Sequence, residues 1–475
     1  MQRIVLFTLF SSLVLVLLLL RRVARRGRPP CPPGPKGWPI IGDLKALQPK
    51  DNSPGSNYRW ERYVDWSRQY NSPHIVSIPV FGERLIILNS KKAVDDLLDK
   101  RSAKYSDRPA MRMTNELSGC VIATTAELWA WDFAHMRHSD WWRLHRKTFH
   151  QQFQPRAMPQ YYDIQRAATD SLIGKLTTTP GDFYDHIRHH AASIALKISH
   201  GYQPQTSMSS DPYVKLANNA VEGLIETAVP GTFLVDFFPA LQYIPSWLPG
   251  AGFKRKARLW KRYCHELRDR PWEWFQSALA EGTAEPSFAT RTLEKLAMSA
   301  TKTSDQDRKM MEEVIKNCAG ITYLAGSDTT VSVMLSFVLS MINHPEVQAR
   351  AQAEVDSFVA SSGKLPDFGD QDKLPYLEAV IAETLRHRPV APYAVPHAVE
   401  EDDVYEGFWI PKGSTVIGNA WGVLHDKDVY GPEPLRFNPD RFMKEGDKDI
   451  PPHPEKYAFG FGRRLGFSFG PALIY

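Results

Sequence analysis

The stretch that decides the fold is Phe459-Gly460-Phe461-Gly462-Arg463-Arg464-Leu465-Gly466. Its spacing is Phe, two residues, Gly, one residue and Arg, with Gly466 two residues beyond Arg464. The chain ends nine residues after Gly466, at Tyr475. The spacing indicates a loop built to present a ligand from the position two residues after Arg464. That position is Gly466, which has no side chain to supply a ligand atom.

Length and composition favour one large domain. The chain has 475 residues and is 43% hydrophobic, which is ample for a large core. No linker or fixed-period repeat divides its interior. Residues 1–30 hold six arginines and no acid, so the net charge of +5 leaves −1 for the rest. This distribution of charge favours contact between the start of the chain and anionic lipid, and it argues against nucleic-acid binding by the rest of the chain.

The first residues predict a membrane anchor. Ile4 to Leu20 is nearly all apolar, and arginines follow at once, from Arg21 to Arg28. A run of seventeen residues is near the lower limit for a span of about 17–25 residues, and the arginines place the following domain in the cytosol. We expect an anchor at 1–20, a basic and proline-rich hinge at 21–42 and one domain at 43–475. A cleaved leader is the alternative.

Four scattered cysteines argue against a disulfide framework or a zinc site. Cys31, Cys120, Cys264 and Cys318 have no C-x-x-C spacing, so a reducing compartment is the default. Cys31 lies near the predicted anchor and could be acylated, although a free thiol is the simpler interpretation.

Hydrophobic periodicity predicts a mainly α protein with small β-sheets. Met310 to Ile342 has apolar residues at helical spacing and would cross the whole domain. Asp372 to Arg388 predicts a second amphipathic helix that stops at Pro389. His74 to Asn89 predicts a hairpin, and short strands are expected around Val404 and Thr415.

The segment Val229 to Phe253 combines aromatic side chains with four prolines. The prolines forbid an uninterrupted spanning helix. An apolar, aromatic and broken segment suits a surface that dips into a membrane interface, and a buried helix–loop–helix is the alternative.

Three further motifs place functional groups on helices. Ala325 and Thr329 are four residues apart and share one face, where small residues admit a flat macrocycle and Asp328 and Thr329 could relay protons. The alternative is a packed Thr pair with a solvated Asp. Glu383 and Arg386 lie three residues apart on one predicted helix, and the segment Phe437-Asn-Pro-Asp-Arg-Phe442 follows further along the chain. The alternative interpretation of the Glu383–Arg386 pair is a weak surface ion pair.

Upstream, Trp142 and Arg146 are at i and i+4, a pair able to hydrogen-bond a carboxylate. Their alternative is a surface arginine stacked on a tryptophan. His397, in Val-Pro-His, is a lone histidine, and such residues are commonly at the surface.

Together these motifs resemble the haem-thiolate monooxygenases of the cytochrome P-450 family, most closely its microsomal fungal members. The resemblance covers nearly the whole chain. It implies a haem cofactor, proton handling by Asp328 and Thr329, and a buried structural triad of Glu383, Arg386 and Arg441. It also implies that the haem contacts are Trp142, Arg146, Ala325, Gly326, His397, Phe459, Gly462 and Arg464.

The resemblance further implies insertion of one atom of O₂ into a hydrophobic small molecule, in secondary metabolism or detoxification. Electrons would come from NADPH through a flavoprotein reductase at the endoplasmic reticulum membrane. No nucleic acid is expected as a partner.

The family's iron-binding cysteine corresponds here to Gly466. Cys318 lies two turns before Ala325 on the helix of the oxygen side, so it cannot replace that ligand. Beyond Leu465 the resemblance stops, and the family's proximal helix and C-terminal strands are expected to be missing. A frameshift, a retained intron or a misplaced gene end would explain this. The alternative function is a catalytically inactive remnant that serves at most as a membrane-bound binding protein.

Overall fold

Helices account for most of the molecule, as the computed structural model shows. The described residues are 27–38, 41–43, 58–118, 131–204, 211–227, 231–298, 304–444, 446 and 449–464. The predicted anchor at 1–20, Cys120 and Gly466 therefore lie outside the described residues. The prediction of a mainly α fold with small β-sheets is confirmed.

The longer elements can be named in chain order. Ten helices of eleven residues or more lie in the described part of the chain: α1 Arg59–Gln69, α2 Asp140–Phe153, α3 Tyr162–Thr178, α4 Phe183–His200, α5 Pro212–Thr227, α6 Gly252–Ala280, α7 Phe288–Met298, α8 Asp305–Asn343, α9 Pro345–Ser362 and α10 Pro375–His387. The strands there are β1 Ile75–Val80, β2 Glu83–Leu88, β3 His397–Ala398, β4 Asp403–Tyr405, β5 Phe408–Ile410 and β6 Thr415–Gly418.

Helix α8 is the centre of the core, and the predicted long helix is confirmed. Ser304 caps its start by accepting a hydrogen bond from the amide of Asp307 (3.2 Å), and the acids of the first turn suit the positive end of the helix. The helix packs against α2, α4, α6 and α7. Among the described helices, α8 has the length and hydropathy of a membrane span; its central position accounts for that composition.

A four-stranded sheet in the order β1-β2-β6-β3 flanks the helices. The hairpin predicted at His74 to Asn89 is confirmed, since β1 and β2 pair antiparallel around a turn at Phe81 and Gly82. Strand β2 pairs parallel with β6, which pairs antiparallel with β3. This last pairing puts His397 opposite Val416 at the edge of the sheet.

Part of the predicted proline-rich hinge is fixed to the domain. The carbonyl of Pro33 accepts from the amide of Ser77 in β1 (2.9 Å), and the carbonyl of Pro30 accepts from the amide of Trp409 in β5 (2.8 Å). Because proline has restricted backbone angles, these contacts set the direction from which the chain enters the domain.

Helix α10 begins three residues later than the periodicity predicts. Residues Phe368–Lys373 form a 3₁₀ turn capped by Asp367, and Pro375 occupies the first helical position. The carboxylate of Glu354 then accepts from the amides of Tyr376 (3.0 Å) and Leu377 (2.8 Å). The apolar pattern alone places the start of α10 at Asp372, whereas the capping contacts place it at Pro375.

The segment from 231 to 251 has no long helix, as its prolines predict. It contains two 3₁₀ turns, Leu234–Asp236 and Pro239–Tyr243, and α6 begins at Gly252. Tyr243 and Trp247 are 80% and 78% exposed, so this segment is a surface rather than a buried helix–loop–helix.

Candidate haem site

Helix α2 carries the first two predicted haem contacts. The hydroxyl of Ser139 caps the helix by accepting from the amide of Trp142 (3.2 Å), which fixes the first turn, and Arg146 lies one turn further along. Trp142 is buried, and its Nε1 has no hydrogen-bond partner among the described residues. Arg146 is half-buried, and burial lowers the pKa of its guanidinium group. The surface-stacking alternative for this pair is therefore not the arrangement observed.

Arg464 reaches the same place from the loop near the other end of the chain. Its guanidinium carbon lies 4.1 Å from the centroid of the Trp142 ring. The group is buried and donates to the main-chain carbonyls of Ser106 (2.9 Å), Phe133 (3.2 Å) and Met136 (2.9 Å). Burial, followed by the charge of Arg108, lowers the pKa of Arg464.

His397 is not a surface histidine, because it is 2% exposed. Its Nδ1 lies 2.6 Å from the carbonyl oxygen of Tyr105, so Nδ1 carries a proton and donates it. Burial and then the charge of Arg108 lower the pKa of His397 well below its ordinary value, and Arg464 adds to this effect. A neutral ring that is protonated on Nδ1 is the state that these surroundings favour, so Nε2 is a hydrogen-bond acceptor.

Arg108 completes this group and was missed by the sequence analysis. It is buried and donates to the carbonyls of Ala134 (2.9 Å), Val395 (2.7 Å) and Pro396 (2.7 Å). The last two carbonyls directly precede His397 in the chain. Arg108 has no regularly spaced partner nearby in sequence, so only the fold reveals its position. We call the three arginines, Arg108, Arg146 and Arg464, the cation cluster; Trp142 and the neutral His397 lie beside it.

The cation cluster fits the carboxylate end of a haem. Arg108 and Arg464 donate to neutral carbonyls. Burial and the charges of Arg108 and Arg146 lower the pKa of Arg464, and burial lowers the pKa of Arg108 although the carboxylates of Asp132 and Asp107 oppose this. A buried charge of this kind is costly unless an opposite charge compensates it. Nε1 of Trp142, which has no partner among the described residues, is a buried donor that requires an acceptor. The two carboxylates of haem would supply both the charge and the acceptors.

The loop around Gly462 carries two more of the residues predicted as haem contacts, Phe459 and Gly462. Gly460 and Gly462 have φ values of 98° and 55°, which favour glycine. A Cβ on Gly462 would overlap the carbonyl oxygen of Leu98, so this loop lies directly on the π-helical turn Asp95–Lys100. Phe459 is half-buried, where the short helix Glu455–Ala458 ends. The glycines let the backbone turn so that Arg464 enters the core.

Helix α8 positions the predicted proton-handling residues. The hydroxyl of Thr329 donates to the carbonyl of Ala325 (2.7 Å), and Gly326 is buried beside it. Ala325 packs with the apolar cluster that contains Ile194 of α4. Asp328 is not simply solvated, because its Oδ1 lies 3.4 Å from Nη2 of Arg188 in α4. This ion pair is a second contact that the sequence analysis did not anticipate.

The predicted structural triad is brought together. Both oxygens of Glu383 accept from Arg386, from Nε at 2.6 Å and from Nη2 at 2.8 Å. Nε of Arg441 lies 3.1 Å from Oε2 of Glu383, and the amide of Asn438 donates to Oε1 (2.7 Å). Glu383 and Arg386 are fully buried, so the surface-bridge alternative does not apply. These contacts tie α10 to the turn Pro439–Phe442.

Cys318 is a buried free thiol on α8. Its Sγ lies 3.6 Å from the carbonyl oxygen of His145, and burial raises the pKa of the thiol well above its ordinary value. The thiolate form that binds iron is therefore strongly disfavoured here.

Comparisons with known proteins show the family of this chain. The family model of cytochrome P450 matches residues 32–465, so the match stops one residue before Gly466. Cytochrome P450 monooxygenase 98 of Postia placenta is 38% identical over 95% of this chain and 82% of its own length. A cytochrome P450 monooxygenase of Armillaria gallica is 39% identical over 95% of this chain and 84% of its own length. Tryptamine 4-monooxygenase of Psilocybe cyanescens is 38% identical over 94% of this chain and 82% of its own length.

The mainly helical fold and the matched family define the class of haem monooxygenases. The chain belongs to the cytochrome P450 family. Membership implies haem, a small-molecule substrate, O₂ and a redox partner.

Proposed function

We propose that this chain derives from, and retains the scaffold of, an enzyme that inserts one atom of O₂ into a hydrophobic small molecule. Secondary metabolism or detoxification is the proposed setting. The observation that carries the proposal is the cation cluster, because the buried guanidinium groups of Arg108 and Arg464 donate to main-chain carbonyls and form no ion pair with a carboxylate among the described residues. Such groups favour an anionic ligand. The family relationship makes haem that ligand.

The roles of the residues follow from their positions. The cation cluster would hold the carboxylates, and Gly462 would let the loop pass close to the Asp95–Lys100 turn. Bound haem supplies the redox and oxygen chemistry of the family. Asp328 is 32% exposed, so it would exchange protons with solvent and pass them to the hydroxyl of Thr329. Movement of Arg188 would release the Asp328 carboxylate for this task.

The substrate proposal stays at the level of a class. One relative is named for its action on tryptamine, which is a small aromatic amine. The apolar and aromatic character of Val229 to Phe253 and of Met111 to Ala134 supports a small, largely hydrophobic molecule for this chain.

For location and electron supply we propose the family's microsomal arrangement. The apolar run Ile4 to Leu20 would anchor the chain in the endoplasmic reticulum membrane, with the domain in the cytosol. An NADPH-dependent flavoprotein reductase in the same membrane would supply electrons.

Gly466 supports a second candidate, a catalytically inactive protein. Glycine offers no sulfur to the iron, and thiolate ligation is what favours O–O cleavage in this family. Such a protein could bind haem weakly through the cation cluster, or serve as a membrane-bound binding protein without it.

The reduced, CO-bound absorption spectrum of the chain and of Gly466→Cys separates the two candidates. The monooxygenase scaffold predicts the red-shifted Soret band of thiolate ligation in Gly466→Cys and its absence in the unmodified chain. Haem uptake by neither protein, with circular dichroism showing both folded, would favour the inactive candidate. A red-shifted band in the unmodified chain would show that the interpretation of Gly466 is wrong.

A further inference from the structure

His138 lies beside the cation cluster, directly before the residue that caps α2. Its side chain is 8% exposed. The imidazole meets the ring of Trp142 edge-on, with 5.4 Å between the two ring centroids. The guanidinium carbon of Arg464 lies 4.1 Å from the centroid of the same indole. Trp142 therefore contacts both the imidazole of His138 and a buried arginine of the cluster.

Two acids hold His138 in place. Nδ1 of its ring lies 2.8 Å from Oε1 of Glu400. A carboxylate only accepts hydrogen bonds, so Nδ1 carries a proton and donates it to Glu400. The amide of His138 donates to Oδ1 of Asp107 (2.8 Å), and Oδ2 of Asp107 accepts from Nη2 of Arg137 (2.5 Å). The main chain and the ring of His138 are thus both fixed without a ligand.

The second nitrogen of this ring is not satisfied. Nε2 of His138 is buried and has no hydrogen-bond partner among the described residues, and the same is true of Nε1 of Trp142. Nearly all buried polar atoms in folded proteins have a partner, so two such atoms on contacting rings indicate that a ligand supplies it. Burial lowers the pKa of Arg464, and the charge of Glu400 opposes this effect. The Glu400–His138 pair is therefore within electrostatic reach of the cation cluster.

We propose that His138 is a further contact for the haem carboxylates and that it takes up a proton from solvent when haem binds. An imidazole donates from both nitrogens only when it is protonated on both. With Glu400 at Nδ1 and a haem carboxylate at Nε2, two anions flank the ring and favour its charged form. The side chain of Glu400 is 35% exposed, so solvent reaches the pair. Glu400 is then a positioning residue that acts through His138.

This inference rests on the haem site proposed above and adds a linkage between haem binding and proton uptake. Haem titration of the full chain, followed by Soret absorbance between about pH 5 and about pH 8, tests it. We expect the association constant to fall as pH rises, by up to tenfold for each pH unit, since one proton is bound with the haem. The pKa of Arg464 is lowered to about 8, so its contribution appears near the upper end of this range in every variant that retains it.

Two variants separate the contact from simple packing. His138→Phe keeps a ring against Trp142 but cannot bind a proton or donate, so it should bind haem roughly tenfold more weakly at low pH and with less dependence on pH. Glu400→Gln keeps an acceptor for Nδ1 but removes the charge, so the fall in affinity should begin at lower pH. The thermal midpoint of each haem-free variant reports whether the fold is intact.

His74→Phe is the matched control. His74 is half-buried directly before β1, with Nε2 4.0 Å from Oε1 of Glu406, so it is another histidine with an acid nearby. This variant should keep the affinity and the pH profile of the unmodified chain. All variants are also made in Gly466→Cys, which restores a sulfur at the position predicted for the iron ligand.

The outcomes distinguish this inference from the proposed function. Equal haem affinity in His138→Phe and His74→Phe would overturn the inference and leave His138 as a packing residue. A weaker affinity in His138→Phe with an unchanged pH profile would also overturn it, because no proton would then be linked to this ring. Haem uptake by neither the unmodified chain nor Gly466→Cys, with both folded, would refute the haem site itself and the inference with it.

Discussion

Arg464 stacks on Trp142, with 4.1 Å between its guanidinium carbon and the centroid of the indole ring. The two residues come from the loop near residue 460 and from α2, so this contact joins distant parts of the chain. It places a buried cation against an aromatic face, an arrangement worth about 2 kcal/mol when desolvated. Trp142 Nε1 has no acceptor among the described residues, which makes the pair a sensitive probe of ligand binding.

Replacing Trp142 with phenylalanine should weaken haem binding without destabilising the ligand-free protein. The substitution keeps an aromatic face for Arg464 but removes an N–H group that has no partner among the residues that the structure describes. Loss of one hydrogen bond to a carboxylate corresponds to about 1.5–3 kcal/mol, or roughly a tenfold to hundredfold loss of affinity. Haem titration followed by Soret absorbance measures this, and the thermal midpoint reports stability. Trp66→Phe, in a different apolar cluster, is the control; equal affinity in both variants would exclude a role for the indole.

Replacing Glu383 with glutamine should destabilise the domain strongly. The change leaves Arg386 and Arg441 buried beside a neutral amide, and breaking a buried ion pair costs about 3–5 kcal/mol. The urea midpoint of unfolding should fall markedly. Glu433→Gln removes an exposed carboxylate that faces Arg436, so its midpoint should stay close to that of the unmodified chain. Similar shifts in the two variants would contradict the structural role of Glu383.

Replacing Gly462 with alanine should damage the loop more than the equivalent change in Gly363. Both glycines have positive φ, at 55° and 70°, so both substitutions bear the conformational cost of about 1 kcal/mol. Only at Gly462 does the added Cβ meet the carbonyl of Leu98. We therefore expect a lower thermal midpoint for Gly462→Ala than for Gly363→Ala. The reverse order would show that the loop can move away from Leu98.

Asp236 should make the contact between the segments around 113 and 236 sensitive to pH. Its Oδ1 accepts from the amide of Met113 (2.8 Å), while its Oδ2 is buried without a partner. Burial raises the pKa of Asp236 from 3.8 to about 7; Arg112 opposes this and Glu83 adds to it. Because the folded-state pKa is raised, the stabilising contribution is complete below the unfolded value and is lost as pH rises through about 7.

The corrected amide protection of residues 113–117 should therefore fall between about pH 4 and about pH 7 and level off above that range. Asp236→Asn keeps the acceptor but cannot ionise, so its protection should not change over this range. Exposed Asp170→Asn serves as the control and should behave like the unmodified chain. A pH-dependent loss of protection that persists in Asp236→Asn would assign the effect to another group.

Local patterns predicted the elements that depend on local forces. The helix around Ala325 and the hairpin around Gly82 follow from periodicity and turn chemistry, and both are present. The boundary of α10 was less accurate, because Asp367 and Glu354 decide it through capping.

Contacts between distant segments could not be predicted in the same way. Trp142 and Arg146 share one helix, so their spacing in the sequence reveals the pair. Arg188 lies on a different helix from Asp328, and Arg108 reaches the cation cluster by hydrogen-bonding the carbonyls before His397. No spacing rule connects such residues, because their proximity arises only when the elements pack.

The parallel pairing of β2 with β6 has a consequence for synthesis of the chain. Leu85 lies beside Thr415 and Leu88 beside Gly418, so the sheet cannot close until both segments have left the ribosome. At about 5–20 residues per second, the apolar hairpin of β1 and β2 must wait tens of seconds for its neighbouring strand. During that interval its open edge can pair with other nascent chains, which makes the hairpin a natural substrate for chaperones.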